Sequence, residues 1–330
     1  MTIISGAKGY VQYGWEAVAY GTVATTIDKV FGHITSIDIS QKNNNTKVYA
    51  IGDVEAKATI AGKYEGSLEV SFTPTDFYFL KGVFGSVVDA GSGPATHTYP
   101  NNTSEATKDA GMNTFLSSSV EIGLDLATDS VLHCLGGVMG SLTLSATQGE
   151  VVTCKMTMPF QTIAEDTDLD ATPSSTAEAP FMFAQASFEM PNASAISNVE
   201  SVEISINRNP ESVYAIGSRL NVAQVPKQSD YEIKIVVPFE AAATLMETFF
   251  GAGTGPLATG SPAEVASAEL TITNAGAGDA LRSIVFLISD LTLDADSISL
   301  TQNEVVKEDV TILGRTITSA IYTNDVETAL

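Results

Sequence analysis

The 330-residue chain is long enough for two domains that each bury an ordinary hydrophobic core. It carries 39 acidic and 16 basic residues, and its formal net charge of −23 disfavours binding to nucleic acid, which is itself an anion. Its two cysteines, Cys134 and Cys154, are too few for a disulfide scaffold. We expect two buried thiols, and the sequence leaves open whether they pair.

The N-terminal sequence MTIISG has neither the basic region nor the longer apolar stretch of a secretion signal. The longest apolar runs, at residues 132–139 and 284–288, fall far short of the roughly 20 residues that a membrane-spanning helix needs. We therefore expect synthesis in the cytoplasm of the producing cell and no association with a membrane.

In the first half, apolar and polar residues alternate over residues 67–72 with the period of two that predicts a half-buried strand. A helix is predicted over residues 73–85, because its start carries a capping hydroxyl, a proline and an acid, and a glycine ends it. The Gly/Ser/Pro-rich residues 86–100 predict a loop. Alternation then resumes at residues 120–126 and 142–144, which predicts further strands.

A polar, acidic stretch at residues 164–180 predicts a linker between two domains. The first domain then covers residues 1–163 and the second residues 181–330.

The second half repeats part of the first. Residues 36–40 (SIDIS) recur as 201–205 (SVEIS), and residues 48–52 (VYAIG) recur unchanged as 213–217. Both pairs lie 165 residues apart, which is half of the 330-residue length, and nine of the 17 residues at positions 36–52 are identical in the second copy. A domain duplication explains this better than chance similarity does.

The remaining elements of the second half agree in kind with those of the first. Alternation at residues 233–237 predicts a strand, residues 241–250 predict a short helix that ends at Gly251, and alternation resumes at residues 270–272 and 291–293. We therefore predict a mainly β fold with one short helix per domain, in two tandem domains related by internal duplication.

Residues for catalysis or metal binding do not form a recognisable pattern. The histidines, His33, His97 and His133, have no second histidine at ligand spacing, and His133 and Cys134, as neighbours on a strand, would point to opposite faces. The acidic residues at 166–170 begin like a calcium loop but lack its glycine at position six. We expect no enzymatic activity, no metal and no cofactor.

The polar faces of the predicted strands carry seven acidic residues against one lysine, Lys234. A wall of one charge sign repels polyanions, so these residues are candidates to line a conduit, and a solvated outer surface is the alternative. They are Asp38, Glu69, Glu121, Asp125, Glu203, Glu232 and Glu269.

The polar segment 41–62 is long for a hairpin loop, yet it contains apolar residues, as does its repeat in the second half. These residues are candidate contacts with a neighbouring assembly layer, and burial in the core of their own domain is the alternative. They are Val48, Tyr49, Ile51, Val213, Tyr214 and Ile216.

Several of these segments together resemble the tail tube proteins of tailed phages and archaeal viruses. The resemblance rests on Gly14-Trp15-Glu16, Tyr20-Gly21-Thr22 and Phe31-Gly32-His33, followed by an Asn-rich turn and residues 48–52, and it is strongest over residues 10–85. The duplication extends it to the second half, although that half has no counterpart of the Gly-Trp-Glu opening.

The resemblance implies a β-sandwich or barrel with a flanking helix in each domain, and rings of six such domains. A two-domain chain would then form homotrimeric rings with pseudo-sixfold symmetry, stacked into a tube around an acidic channel. Viral DNA would pass through without specific binding, and the other partners would be the terminator, the baseplate or tip and the tape measure protein. The protein would be made in the host cytoplasm and belong to the virion tail.

Three alternatives stay open at this stage. The inner tube of a contractile injection system would share the fold, and another self-assembling virion or filament protein would share the repeat. An enzyme or small-ligand binding module would need a convergent polar pocket, which the sequence does not indicate.

Overall fold

The computed structural model describes residues 9–16, 19–91, 94–100, 116–124, 129–166, 168–170, 172–174, 178–191, 194–196, 198–239, 245, 249–250, 264–274, 282–302 and 305–324. Its first half contains β1 (Gly9–Trp15), β2 (His33–Lys42), β3 (Thr46–Val48), β4 (Ala58–Ile60), β5 (Glu65–Thr73), α1 (Leu80–Phe84), β6 (Val88–Ala90), β7 (Ala95–Pro100), β8 (Ser117–Leu124), β9 (Ser130–Val138), β10 (Ser141–Thr147), β11 (Thr153–Phe160) and β12 (Thr162–Asp166).

The second half opens with a 3₁₀ turn at Phe183–Gln185. It then contains β13 (Ala186–Glu189), β14 (Ser201–Asn207), β15 (Glu211–Tyr214), β16 (Asn221–Val225), β17 (Asp230–Pro238), β18 (Glu264–Asn274), β19 (Arg282–Ser299) and β20 (Lys307–Asn324). The predicted mainly β fold is therefore confirmed.

Alternation in the sequence becomes alternation in burial along the strands. In β5, the side chains of Leu68, Val70 and Phe72 are at most 1% exposed, while the intervening polar residues face outward. The reason is that successive side chains of a strand point to opposite faces of the sheet. The strand predicted over residues 67–72 is confirmed, with two further residues at its start and one at its end.

Helix α1 ends where it was predicted to end but begins later. Gly85 takes a left-handed φ of 79° and its N–H donates to the Lys81 carbonyl, as a helix-terminating glycine does. The predicted start at Thr73 is wrong, because Thr73 still pairs with His33 in the sheet. The acid of the predicted cap, Asp76, instead accepts a hydrogen bond from the backbone N–H of Tyr78 in a turn.

Other predictions from the sequence need correction or fall outside the described residues. Residues 86–100 are not a plain loop, since β6 and β7 form a hairpin there and β7 pairs with β20 of the second half. The proposed boundary at residue 163 falls inside β12, which pairs with β9. Of the helix predicted at 241–250, the structure describes Leu245, Phe249 and Phe250, which have helical backbone, and Gly251 lies outside the described residues.

Two sheets organise most of the strands. A four-stranded sheet has the order β1-β8-β9-β12. A 12-stranded sheet has the order β13-β18-β19-β20-β17-β14-β10-β11-β5-β2, with β6 and β7 joined to it through β20. The two halves of the chain meet inside this large sheet, where β10 pairs with β14 in antiparallel register from Ser141↔Asn207 to Thr147↔Ser201.

The two halves pair their strands in the same order. In the first half β2 pairs with β5 and β3 with β4, and 165 residues later β14 pairs with β17 and β15 with β16. In the second half, the long strands β19 and β20 pair with each other. The equivalent positions of the first half are divided between two strand pairs, β10 with β11 and β9 with β12. This shared topology supports the predicted duplication.

One buried cluster joins the two sheets of the first half. Tyr13 of β1 stacks on Phe31 with 4.4 Å between ring centroids, and Phe31 contacts Phe72 of β5 at 5.5 Å. The same cluster continues into the second half through residues such as Ile204 and Phe286, so both halves share one continuous core.

Arg282 of β19 connects this core to the segment between the halves. Its guanidinium donates to the Thr75 carbonyl, to the Glu178 carboxylate and, at 2.9 Å, to the Ala179 carbonyl. Asp76 is partly buried nearby, and this burial, reinforced by the charge of Glu178, raises its pKa from 3.8 to about 7. Burial disfavours the charged form of this carboxyl more than Arg282 favours it.

The Asp76→Asn variant tests this environment through the pH dependence of stability. Because the folded-state pKa of Asp76 lies above its unfolded value, this group makes the wild type lose stability as pH rises from about 4 to about 7. We expect Asp76→Asn to be more stable than the wild type at about pH 8, by on the order of 2 kcal/mol, and no more stable at about pH 4.

Urea denaturation at both pH values measures the difference. The exposed Asp28→Asn variant is the control and should follow the wild type. Equal behaviour of the two variants would contradict the buried environment of Asp76.

Candidate assembly surfaces

Four of the predicted acidic residues lie together on one face of the large sheet. Asp38 of β2 is directly opposite Glu69 of β5, and Glu203 of β14 and Glu232 of β17 lie on the neighbouring strands of the second half. Their backbone neighbours in these strands point the other way, into the core. We call this the polar face; its other residues are mostly serine and threonine.

The polar face also contains lysines that pair with these acids. Lys155 Nζ lies 2.9 Å from Glu69 Oε1, and Lys234 Nζ lies 2.6 Å from Glu232 Oε1 and 3.7 Å from Glu203 Oε1. The expectation of a single lysine is therefore wrong. Sequence reasoning missed Lys155 because β11 was not predicted, although the alternation of Thr153, Lys155 and Thr157 with buried residues was there to find it.

The structure separates the other acidic candidates from the polar face. Glu121 of β8 belongs to the four-stranded sheet and is buried, and its carboxylate accepts hydrogen bonds from Tyr10 Oη at 2.6 Å and Gln12 Nε2 at 3.1 Å. Burial, then the bond to Glu121, raises the pKa of Tyr10 to about 12. Glu269 lies on β18, away from the polar face, and Asp125 lies outside the described residues.

The apolar candidates lie on two equivalent hairpins, β3–β4 and β15–β16. Ile51 and Ile216 are fully exposed at the hairpin tips, and Val48, Tyr49 and Val213 are also exposed. The alternative of burial in the chain's own core is therefore wrong for these five residues. Tyr214 differs, because it is partly buried and its hydroxyl donates to the Tyr64 carbonyl at 2.8 Å.

The bond of Tyr214 is part of a contact that fixes the β15–β16 hairpin on the first half. The Tyr64 N–H donates to the Arg219 carbonyl at 2.8 Å, and Arg219 Nε donates to the Gly62 carbonyl at 2.8 Å. Lys63 Nζ lies 5.4 Å from the centroid of the Tyr214 ring. The equivalent hairpin of the first half, β3–β4, carries Tyr49 at the matching position, where it is 61% exposed.

Among the described residues, the large sheet leaves two stretches of strand edge unpaired besides those at its terminal strand β13 and at β6. One is the side of β2 that faces away from β5, and the other is the end of β19, residues 293–299, on the side away from β20. Beside these edges lie Ile298, which is 38% exposed, and Leu300, which is 79% exposed. An unpaired strand edge with apolar side chains readily pairs with another chain.

A second sequence repeat aligns these edges with the junction inside the chain. Residues 147–152 (TQGEVV) begin at the last residue of β10, and residues 301–306 (TQNEVV) begin just after β19, at an offset of 154 residues. The pairing partners agree, since Leu144 pairs with Cys154 and Ile298 pairs with Glu308. The free end of β19 is thus equivalent to β10, and β2 is equivalent to β14. Sequence analysis missed this repeat because its offset differs from 165.

A protein-family model described as phage tail tube protein matches residues 6–314 of the chain. The chain belongs to the phage tail tube protein family. The resemblance seen in the sequence is confirmed, and no curated protein matches the chain.

Membership in the tail tube family implies a structural role in the virion tail and assembly with itself and other tail components. Among the described residues, no group of three or more His, Cys, Asp and Glu side chains is arranged to hold a metal ion. Within the same residues, none of the helices is both long and apolar enough to cross a membrane. Cys134 and Cys154 are both buried as free thiols, and burial raises the pKa of Cys134 to about 12.

Substituting the two equivalent tyrosines tests the hairpin contact in this tail tube protein. Tyr214→Phe removes the hydroxyl that donates to the Tyr64 carbonyl, so we expect a loss of about 1 kcal/mol in the stability of the hairpin, measured by amide hydrogen exchange of β15 and β16 in the monomer. Tyr49→Phe is the matched control and should leave the monomer unchanged. A Tyr214→Phe variant with wild-type exchange would show that the bond contributes nothing.

Proposed function

We propose that three copies of this chain form a ring with pseudo-sixfold symmetry, and that rings stack into the tail tube through which viral DNA leaves. The observation that carries this proposal is the junction between β10 and β14. The same two strand types recur as the end of β19 and as β2, and each has an edge that is unpaired among the described residues. An edge and its complement on one molecule make a head-to-tail contact, which closes into a ring when the rotation allows it.

Transferring the register of β10 and β14 to two copies gives a specific seam, which we define as residues 293–301 of one copy paired with β2 of the next. Ile298 then lies opposite Ile39, and Leu300 lies opposite Ile37. Both isoleucines are partly buried in the isolated chain, whereas their equivalents in β14, Val202 and Ile204, are at most 2% exposed. Pairing would bury the apolar groups that the free edges leave open.

The exposed hairpin β3–β4 supports the same seam. If it contacts the preceding copy as β15–β16 contacts the first half, the hydroxyl of Tyr49 donates to the carbonyl of Ser229, the residue equivalent to Tyr64. This gives the exposed Tyr49 a role that its equivalent, Tyr214, already has inside the chain.

The number of strands is consistent with a channel for DNA. Each copy contributes eight strands to the polar face, namely β2, β5, β11, β10, β14, β17, β20 and the end of β19. Three copies give 24 strands, and at about 4.8 Å per strand with a moderate tilt they enclose a barrel roughly 40 Å across. Side chains leave a bore of roughly 30 Å, which is wider than a DNA duplex.

The polar face supports the lumenal assignment of Asp38, Glu69, Glu203 and Glu232. Serine and threonine offer DNA no strong electrostatic contact, and carboxylates repel its phosphates. Three lysines of this face, Lys155, Lys234 and Lys307, are held by carboxylates, which leaves them less available to phosphate. Such a wall lets DNA slide without specific binding. Glu121 and Glu269 have no part in this surface, because they lie away from it.

The exposed hairpin tips suit contacts between rings. Ile51 and Ile216 occupy equivalent positions in the two halves, so a three-copy ring would present six apolar tips. In a tail made in the host cytoplasm, the rings at the two ends would meet the terminator and the baseplate or tip, and the tape measure protein would occupy the lumen before ejection.

The two interfaces are separable by substitution of fully or largely exposed residues, which do not affect the core. We expect Leu300→Lys to abolish rings and leave a folded monomer, because a lysine faces the apolar side of the seam. Ile51→Lys should leave single rings and reduce their stacking into tubes. Sedimentation velocity and negative-stain microscopy of the purified chain distinguish these outcomes. Normal rings from Leu300→Lys would contradict the seam.

Charge reversal at two equivalent positions tests the channel. We expect the double variant Asp38→Lys, Glu203→Lys to assemble into tails of wild-type length. DNA ejection from these particles should slow several-fold, because lysines on the channel wall attract phosphate. Ejection in vitro from variant particles measures the rate. Glu264→Lys, on β18 outside the polar face, is the control. Ejection at the wild-type rate from the double variant would remove these residues from the lumen.

A further inference from the structure

The seam differs in chemistry from the junction inside the chain at three neighbouring positions. Inside the chain these positions hold Leu142, Cys154 and Ile206, all of which are at most 2% exposed. At the free edges the equivalent residues are Asp296 on β19, Glu308 on β20 and Gln41 on β2. All three apolar positions thus become polar where two separate copies would meet.

Asp296 and Glu308 form a close pair of carboxyl groups on the core side of the sheet. Glu308 is 2% exposed, and the two groups lie within hydrogen-bonding reach of each other. Asp296 Oδ1 and Glu308 Oε1 are both buried and have no hydrogen-bond donor among the residues that the structure describes. One proton shared between the carboxyl groups would give each of these oxygens a partner, and two adjacent buried carboxylates do not both ionise readily.

Among the residues that the structure describes, no cationic side chain faces the carboxyl groups of Asp296 and Glu308. On β20, Lys307 lies on the opposite face and pairs with Glu200 Oε2 at 2.5 Å, and Asp309 is exposed on that same face. The neighbouring residues of β17 are Val236 and Val237, and Asp294 of β19 is exposed at a bulge.

The facing copy would add no cation on this side either. Transferring the internal register places Gln41 opposite Asp296, while the charged Asp38 and Lys42 lie on the polar face. Gln41 Oε1 already accepts a hydrogen bond from Tyr64 Oη, so its amide N–H groups are free to donate to Asp296.

We propose that the seam is a proton-dependent lock, in which Asp296 and Glu308 must share one proton before β2 of the next copy can cover them. This inference rests on the proposed ring and concerns its regulation. Closing the seam removes water from the pair, which favours the protonated form, so the closed ring holds more protons than the open chain. Ring stability then falls as pH rises.

The direction of the carboxyl pKa values in the isolated chain agrees with this mechanism. Burial raises the pKa of Asp296, and burial together with the charge of Asp296 raises that of Glu308. Closing the seam deepens the burial of both groups.

The ring–monomer equilibrium of the full chain, measured by sedimentation velocity between about pH 6 and about pH 9 at high salt, tests the lock. For the wild type we expect the apparent dissociation constant to rise by up to about tenfold per pH unit for each seam. Glu308→Gln removes the shared proton, so the apparent dissociation constant of this variant should be nearly independent of pH. Asp309→Asn, one residue away on the opposite face, is the matched control and should keep the wild-type slope.

A second variant covers the case in which Glu308→Gln fails to assemble. Asp296→Leu combined with Glu308→Cys restores the residues of the internal junction and should form rings at every pH. Failure of this double variant to form rings at about pH 6, where the wild type does, would overturn the lock.

Three further results would also overturn the lock. They are a wild-type equilibrium independent of pH, a Glu308→Gln variant that keeps the wild-type slope, and wild-type rings that dissolve in EDTA at constant pH, which would indicate a metal ion between the carboxylates. Rings in any of these cases leave the proposed function intact. Absence of rings at every pH would overturn the proposed function and the lock together.

Discussion

The antiparallel pairing of β10 with β14 is the interaction on which the rest of the architecture depends. It joins the two halves in one sheet, so that their polar residues fall on a common face and their apolar residues share one core. An open sheet ends in edges, and each edge exposes unpaired N–H and C=O groups. Here two edges, at β2 and at the end of β19, match the strands that the chain has already paired internally.

Side-chain alternation links the stability of the sheet to its surface chemistry. Because Leu68, Val70 and Phe72 must enter the core, Glu69 and the serines beside it must face the other way. The same rule applies to every strand of the polar face. The polar face therefore needs no separate scaffold. The core fixes its positions, and Lys155 and Lys234 moderate the repulsion between its carboxylates.

The differences between the two halves are as informative as the repeat. The internal junction is permanent and apolar, whereas the free edges carry Asp296, Glu308 and Gln41 at the equivalent positions. Charged groups pointing inward at a strand edge discourage uncontrolled pairing with other chains. Tyr214 and Tyr49 show the same division, since one is used within the chain and the other is exposed.

The sequence by itself determined the β class, the strand around Leu68, the end of α1 at Gly85 and the 165-residue repeat, because periodicity and turn chemistry depend on near neighbours. Only the tertiary structure decided that Thr73 stays in a strand, that Glu121 is buried and that Lys155 joins the polar face. These outcomes depend on pairing between strands far apart in the chain. Alternation along a strand predicts on which face of the strand a side chain lies. Only the pairing with a partner strand decides which residues surround that side chain.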